Sequence, residues 1–240
     1  GELRKLFNSG RILLGDNPDF DNPEGLISLS TVLDLSDEDI DGILASQILK
    51  ASFANQLIKL SREEDAQIVV KMEMGDPGWE AEIRSLIDSV KVLLGDEADL
   101  ENLSIDPNTL KNLSEEDIDT VLASTIISDT IIRKLVEIGQ EADGALVVRF
   151  DEDDPAWKAS GSGAGELRHF ISAAILILDE EDDLNSGDAV KVNKIAKLAE
   201  ADVDVLVQSY ILVDTAVKHL RSMTAPDGGL HEVLYLPDLT

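Results

Sequence analysis

This chain repeats itself three times, and that constrains it more than any other feature. Leu35 to Leu60 reads LSDEDIDGILASQILKASFANQLIKL, and Leu113 to Ile138 reads LSEEDIDTVLASTIISDTIIRKLVEI. The two lie 78 residues apart and match at roughly four in ten positions. A more divergent copy, LAEADVDVLVQSYILVDTAVKHLRSM, runs from Leu198 to Met223. A second block keeps the same phase: GELRKLFNSGRILL from Gly1, AEIRSLIDSVKVLL from Ala81 and GELRHFISAAILIL from Gly165. A third is short and apolar: AQIVVKM from Ala66, ALVVRF from Ala145 and HEVLYL from His231. Each apolar block leads to a proline with a bulky apolar residue two positions on, pairing Pro77 with Trp79, Pro155 with Trp157 and Pro237 with Leu239. The 240 residues therefore divide into units 1–80, 81–164 and 165–240. Units of this length bury apolar surface against their neighbours. Because the phase holds from one end to the other, the expected setting is a segment of a longer tandem array.

Within a unit, the first block carries apolar residues at Leu3, Leu6, Phe7, Ile12, Leu13 and Leu14, a helical period. An acidic loop follows, and then a short helix; in the second unit Asp106-Pro107 can open it, with proline at the first helical position. A long main helix then starts at Ser36 or Ser114. Its serine N-cap precedes a run of acids that oppose the macrodipole. Ile40, Ile43, Leu44, Ile48 and Ala51 fall on one face of this helix, treated as continuous. The short Val- and Ile-rich blocks read as strands at 66–72, 145–150 and 231–236, ended by proline. The expected fold class is α+β, mainly helical, with each unit running helix, loop, short helix, long helix, strand. Lone strands need partners, and joined through helices they would pair in parallel. Ser160 to Gly165, SGSGAG, predicts a flexible join before the third unit.

Composition narrows the function. Lys and Arg number 20 against 49 Asp and Glu, a net charge of −29. The charge is spread over all three units, at −9, −12 and −8, so it belongs to the whole surface. Repulsion argues against nucleic acid and anionic membranes as partners. The absence of cysteine excludes disulfides, thiolate metal sites and a cysteine nucleophile. The longest apolar run, Ala173 to Leu178, is far short of a membrane span.

Four sets of residues are candidates for chemistry. The acidic loops contain Asp16, Asp19 and Asp21 in the first unit and Asp183, Asn185 and Asp188 in the third. Oxygen-rich loops suit calcium, and the third resembles the start of a dockerin or EF-hand calcium loop. It then departs from that pattern, because Lys194 stands where the bidentate acid belongs. A solvated acidic loop is the preferred reading, with no cofactor assigned. Ser46, Ser124 and Ser209 recur in phase. With no recurring base beside them, they read as small residues at a helix contact, each hydroxyl bonded to the carbonyl one turn back. His169, His219 and His231 all lie in the third unit at spacings that fit no metal motif. Trp79 and Trp157 read as junction packing rather than exposed recognition residues. The functional expectation is a non-catalytic repeat segment of a larger bacterial surface or secreted protein that spaces or binds. Its partners would be protein or adjacent repeats of the same chain. The alternatives are a cytoplasmic helical scaffold and a structural calcium-binding repeat.

Overall fold

A computed structural model describes residues 1–14, 35–62, 70, 72–73, 75–94, 105–141, 144, 146, 151–158, 165–179, 181–184 and 190–223. These residues are 74% helical and contain no strand. They gather into two compact units, one of residues 1–105 with 115–130, the other of residues 106–114 with 131–240.

The first unit contains α1 (Glu2–Leu14), α2 (Asp37–Leu44), α3 (Gln47–Leu60), α4 (Trp79–Leu94), α5 (Glu115–Ala123) and the start of α6 (Thr125–Gln140). Local chemistry sets the start of α2. Ser36 Oγ accepts from Asp39 N, and Asp39 Oδ2 accepts in return from Ser36 N at 3.1 Å, a reciprocal capping box. The Ser36 hydroxyl bond is the main reason the Asp39 carboxyl titrates below its ordinary value. Helix α1 packs on α2 and α3, and α4 packs on α5. The core includes Ile40, Phe53, Leu57, Ile83, Val90, Ile118 and Val121, all buried.

Where α1 crosses α2, and α4 crosses α5, small side chains let the backbones approach. Buried Ser9 donates to the Lys5 carbonyl at 2.9 Å and across to the Gly42 carbonyl at 2.7 Å. Buried Ser89 does the same to the Ser85 carbonyl at 2.5 Å and the Thr120 carbonyl at 2.9 Å. At Gly42 a Cβ would sit 3.1 Å from Ile12 Cδ1, so a larger residue would press on the crossing.

The second unit contains a 3₁₀ helix at Pro107–Asn112, the remainder of α6, α7 (Pro155–Lys158), α8 (Glu166–Ile177), α9 (Val192–Ile195), α10 (Glu200–Gln208) and α11 (Tyr210–Met223). Asp106 caps the 3₁₀ helix, its Oδ1 accepting from Asn108 N at 2.9 Å, and Pro107 occupies the first helical position. Helix α8 is the hub: the 3₁₀ helix, α7, α10 and α11 all pack on it. Its sequence, ELRHFISAAILI, is apolar on most sides, and Leu167, Phe170, Ile171, Ala173, Ala174 and Ile177 are buried. Ala173 takes the place that Ser9 and Ser89 hold in the other copies.

The α+β expectation is overturned. Val70, Met72 and Leu146, the described residues of the first two expected strands, are not in strand, and 231–236 lies outside the described residues. A Val/Ile-rich run of this length fits a pleated, half-buried surface, but it takes up strand only where a ladder is available. Around Leu146 the hydrogen bonds go elsewhere. Gly144 N donates to the Glu141 carbonyl at 2.9 Å in a turn, and Lys218 Nζ donates to the Gly144 carbonyl at 3.3 Å. Leu146 is buried without being in strand.

The continuous main helix is also corrected. In each copy it breaks into two helices at a serine: Ser46 between α2 and α3, Ser124 between α5 and α6, Ser209 between α10 and α11.

Candidate functional site

The break at each serine is made by a residue that is distant in sequence. In the first copy, Glu2 Oε1 accepts from Ser46 Oγ at 2.9 Å and from Ile48 N at 3.3 Å. In the second, Glu82 Oε1 accepts from Ser124 Oγ at 2.7 Å and Ile126 N at 3.0 Å, while Oε2 accepts from Thr125 N at 3.1 Å. In the third, Glu166 Oε1 accepts from Ser209 Oγ at 2.9 Å and Ile211 N at 3.0 Å, with Oε2 on Tyr210 N at 3.1 Å. Each serine hydroxyl meanwhile accepts from the amide three residues on, at 3.4 Å from Leu49, 3.2 Å from Ile127 and 3.3 Å from Leu212.

The physical logic is that of a helix N-terminus. The first amides of a helix have no partner within it and carry the positive end of the macrodipole. Serine satisfies one amide, and the glutamate satisfies one or two more with a full negative charge. The first helix of each copy is thereby fastened to the start of the helix that follows its serine. Glu82 and Glu166 are buried, with Ser46, Ser124 and Ser209 fully so. Glu166 and Glu2 are in different electrostatic settings. Burial is the largest influence on Glu166 and raises its pKa above the ordinary glutamate value, against the hydrogen bonds from Ile211, Tyr210 and Ser209. Glu2 is more open, and the Ser46 hydroxyl bond holds its pKa below that value.

The serines therefore hold helix starts together, and their expected bond to a carbonyl one turn back is not formed. That bonding belongs to a different recurring position, where Thr130 Oγ1 donates to the Ile126 carbonyl and Thr215 Oγ1 to the Ile211 carbonyl, both at 2.8 Å. The glutamate was missed in the sequence although its signal was present: it is the second residue of GELR, AEIR and GELR, in phase each time.

The calcium candidates are only partly described. Asp16, Asp19, Asp21, Asn185 and Asp188 lie outside the described residues. Asp183 Oδ1 accepts from Asn108 Nδ2 at 2.9 Å, and Asn108 Oδ1 accepts from Leu184 N at 2.7 Å. The adjoining turn is organised by lysine. Lys111, buried on the 3₁₀ helix, donates to the carbonyls of Asp179, at 2.9 Å, and Asp182. Lys194, the residue at the expected bidentate-acid position, donates to Asp179 Oδ2 at 2.8 Å and to Asp182; Lys191 reaches Asp182 Oδ1 at 3.0 Å. Burial works against the charge on Asp182, but the bonds from Lys194 and Lys191 outweigh it and hold the carboxyl well below the usual range. Cations of the chain itself thus fill this acidic turn. Among the described residues no group of three or more His, Asp or Glu is arranged to hold a metal ion.

His169 Nδ1–H donates to the Gln208 carbonyl at 3.1 Å, at the end of α10, and His231 lies outside the described residues. His219 stands half-buried on α11. Trp79 and Trp157 are buried, at 3% and 1% exposure, so neither ring faces solvent. Both follow an Asp-Pro pair that opens a helical turn: Trp79 N donates to the Asp76 carbonyl and Trp157 N to the Asp154 carbonyl, each at 3.1 Å. No helix among the described residues is long and apolar enough to cross a membrane. No known protein family, curated protein or solved structure matches the chain.

Proposed function

We propose that this chain is a non-catalytic repeat module of a larger bacterial surface or secreted protein, and that it spaces or binds protein. The observation that carries this reading is the use made of the recurring polar residues. Glu2, Glu82 and Glu166 return in every copy at the same helix start, each bonded to a fully buried serine, Ser46, Ser124 or Ser209. All six are engaged at helix N-termini, so what the repeat maintains is a way of fastening helices. The dispersed net charge of −29 supports a surface kept solvated on all sides.

Antibodies raised to the chain test the location in the source organism. Labelling of intact cells, or recovery from the medium, is expected. Labelling only after permeabilisation would overturn the surface reading in favour of a cytoplasmic helical scaffold. The module reading is tested separately by Ser124→Ala. A role confined to architecture predicts lower stability with partner binding unchanged in proportion to folded protein.

A further inference from the structure

One junction between successive repeats lies inside the first unit. There the first helix of the second repeat, α4, meets the α2 helix of the first. Arg84 pairs with Asp41, and Lys91 Nζ donates to the Leu35 carbonyl. Asp88 lies near Asp37; burial first, and that neighbouring charge second, raise the Asp88 carboxyl. On α2, Ile40 and Leu44 are 0% and 4% exposed.

The third repeat offers the same helix, α10, without that cover. Val203 and Val207 stand at the repeat positions of Ile40 and Leu44, yet they are 38% and 55% exposed. Asp204 stands at the position of Asp41. The first repeat shows the converse. Arg4, at the position of Arg84, is exposed on α1. Ile48, whose amide is bonded to Glu2 at the start of α1, is 48% exposed, whereas its equivalents Ile126 and Ile211 are 1% and 0%. Arg11 takes the position of Lys91, and Asn8 and Glu200 replace the like-charged pair Asp88 and Asp37. One face thus has a spare base beside an open isoleucine, and the other a spare acid between two open valines.

We propose that a second copy of this chain docks head to tail on this face, with its α1 against α10 so that Arg4 meets Asp204 over Val203 and Val207. The contact repeats the geometry of the Arg84–Asp41 junction. It is heterologous, so each docked copy presents a further face to the next. The apolar patch supplies the attraction and the charge pair sets the register. This deepens the reading of a stacking repeat and rests on it only for the register of the copies. It holds at the cell surface or in the cytoplasm.

Sedimentation velocity of the full chain tests the interface, from about 10 μM to about 1 mM, since a single small junction predicts weak affinity. The salt should be high enough to screen the net charge of −29. The weight-average mass is expected to rise steadily with concentration. Val203→Asp with Val207→Asp should hold the chain monomeric throughout. These side chains are exposed, and an unchanged circular dichroism spectrum confirms the fold. Arg4→Glu and Asp204→Arg should each weaken association by about three- to tenfold, and the two combined should restore it. A wild-type chain that stays monomeric overturns the interface. So does association that the valine changes leave intact, or singles that the charge swap fails to rescue. None of these outcomes touches the surface reading, which the antibody experiment decides.

Discussion

Replacing Glu82 by alanine is the sharpest test of how this repeat is built. The change removes an acceptor of three hydrogen bonds: the Ser124 hydroxyl at 2.7 Å and the amides of Thr125 and Ile126 at 3.1 and 3.0 Å. The site is buried, so water replaces the lost bonds poorly. A net hydrogen bond to a charged group contributes about 1.5–3 kcal/mol, and a buried donor left unpaired costs about 1–3 kcal/mol. Ser124 still caps Ile127, so the whole helix start is not lost. Allowing for non-additivity and some water entry, Glu82→Ala should destabilise the first unit by about 3–5 kcal/mol. Glu82→Gln, which keeps one acceptor oxygen and places an amide NH2 donor against the helix amides, should cost about 1–3 kcal/mol. The two tryptophans make the assay clean, because Trp79 lies in the first unit and Trp157 in the second. In a Trp157→Phe background, urea unfolding followed by tryptophan fluorescence reports on the first unit. Ser124→Ala closes a double-mutant cycle, with a coupling of about 1 kcal/mol or more expected between directly bonded groups. A cost below about 1 kcal/mol for Glu82→Ala, or no coupling to Ser124, would refute the fastening role.

The equivalent acids should differ in their dependence on pH. Glu166 has a raised folded pKa, so the folded state holds its proton more tightly than the unfolded one, and stability falls as pH rises from the ordinary glutamate value through the folded one. Glu2 has a lowered folded pKa, so its contribution is present above the ordinary value and is lost as pH falls through the folded one. Glu166→Gln and Glu2→Gln should therefore change the slope of stability against pH in opposite directions, as read by thermal unfolding between pH 3 and pH 7, roughly the range in which carboxylates titrate. Trp79→Ala should cost about 3–5 kcal/mol for an emptied core site. Trp79→Phe should cost much less, because the buried indole N–H makes no hydrogen bond that the change would lose. Equal losses from both substitutions in a urea melt would show that the N–H matters. Gly144→Ala should lower the melting temperature of the second unit, since its Cβ would fall 2.3 Å from the Ile138 carbonyl oxygen, and a neutral result would contradict that crowding.

The sequence by itself determined the threefold phase, the helical character of the first block and the starts of several elements. These depend on neighbours in the chain. Ser36 caps with Asp39 three residues on, and Asp106-Pro107 opens a turn with groups next to it. The tryptophans read as packing residues because an apolar leucine, Leu239, stands at the equivalent place in the third unit, and both rings are buried. The tertiary structure alone decided where the long helix breaks. Ser46, Ser124 and Ser209 sit in patterns that continue a helical period, and locally a serine can either stay in a helix or cap a new one. Capping wins because a carboxylate more than 40 residues earlier is delivered to the exposed amides. The expected strands failed for the same kind of reason. β-propensity describes what a segment tolerates, while a ladder needs a partner elsewhere in the chain. At Gly144 the available partners were the Glu141 carbonyl in a turn and the Lys218 ammonium on α11.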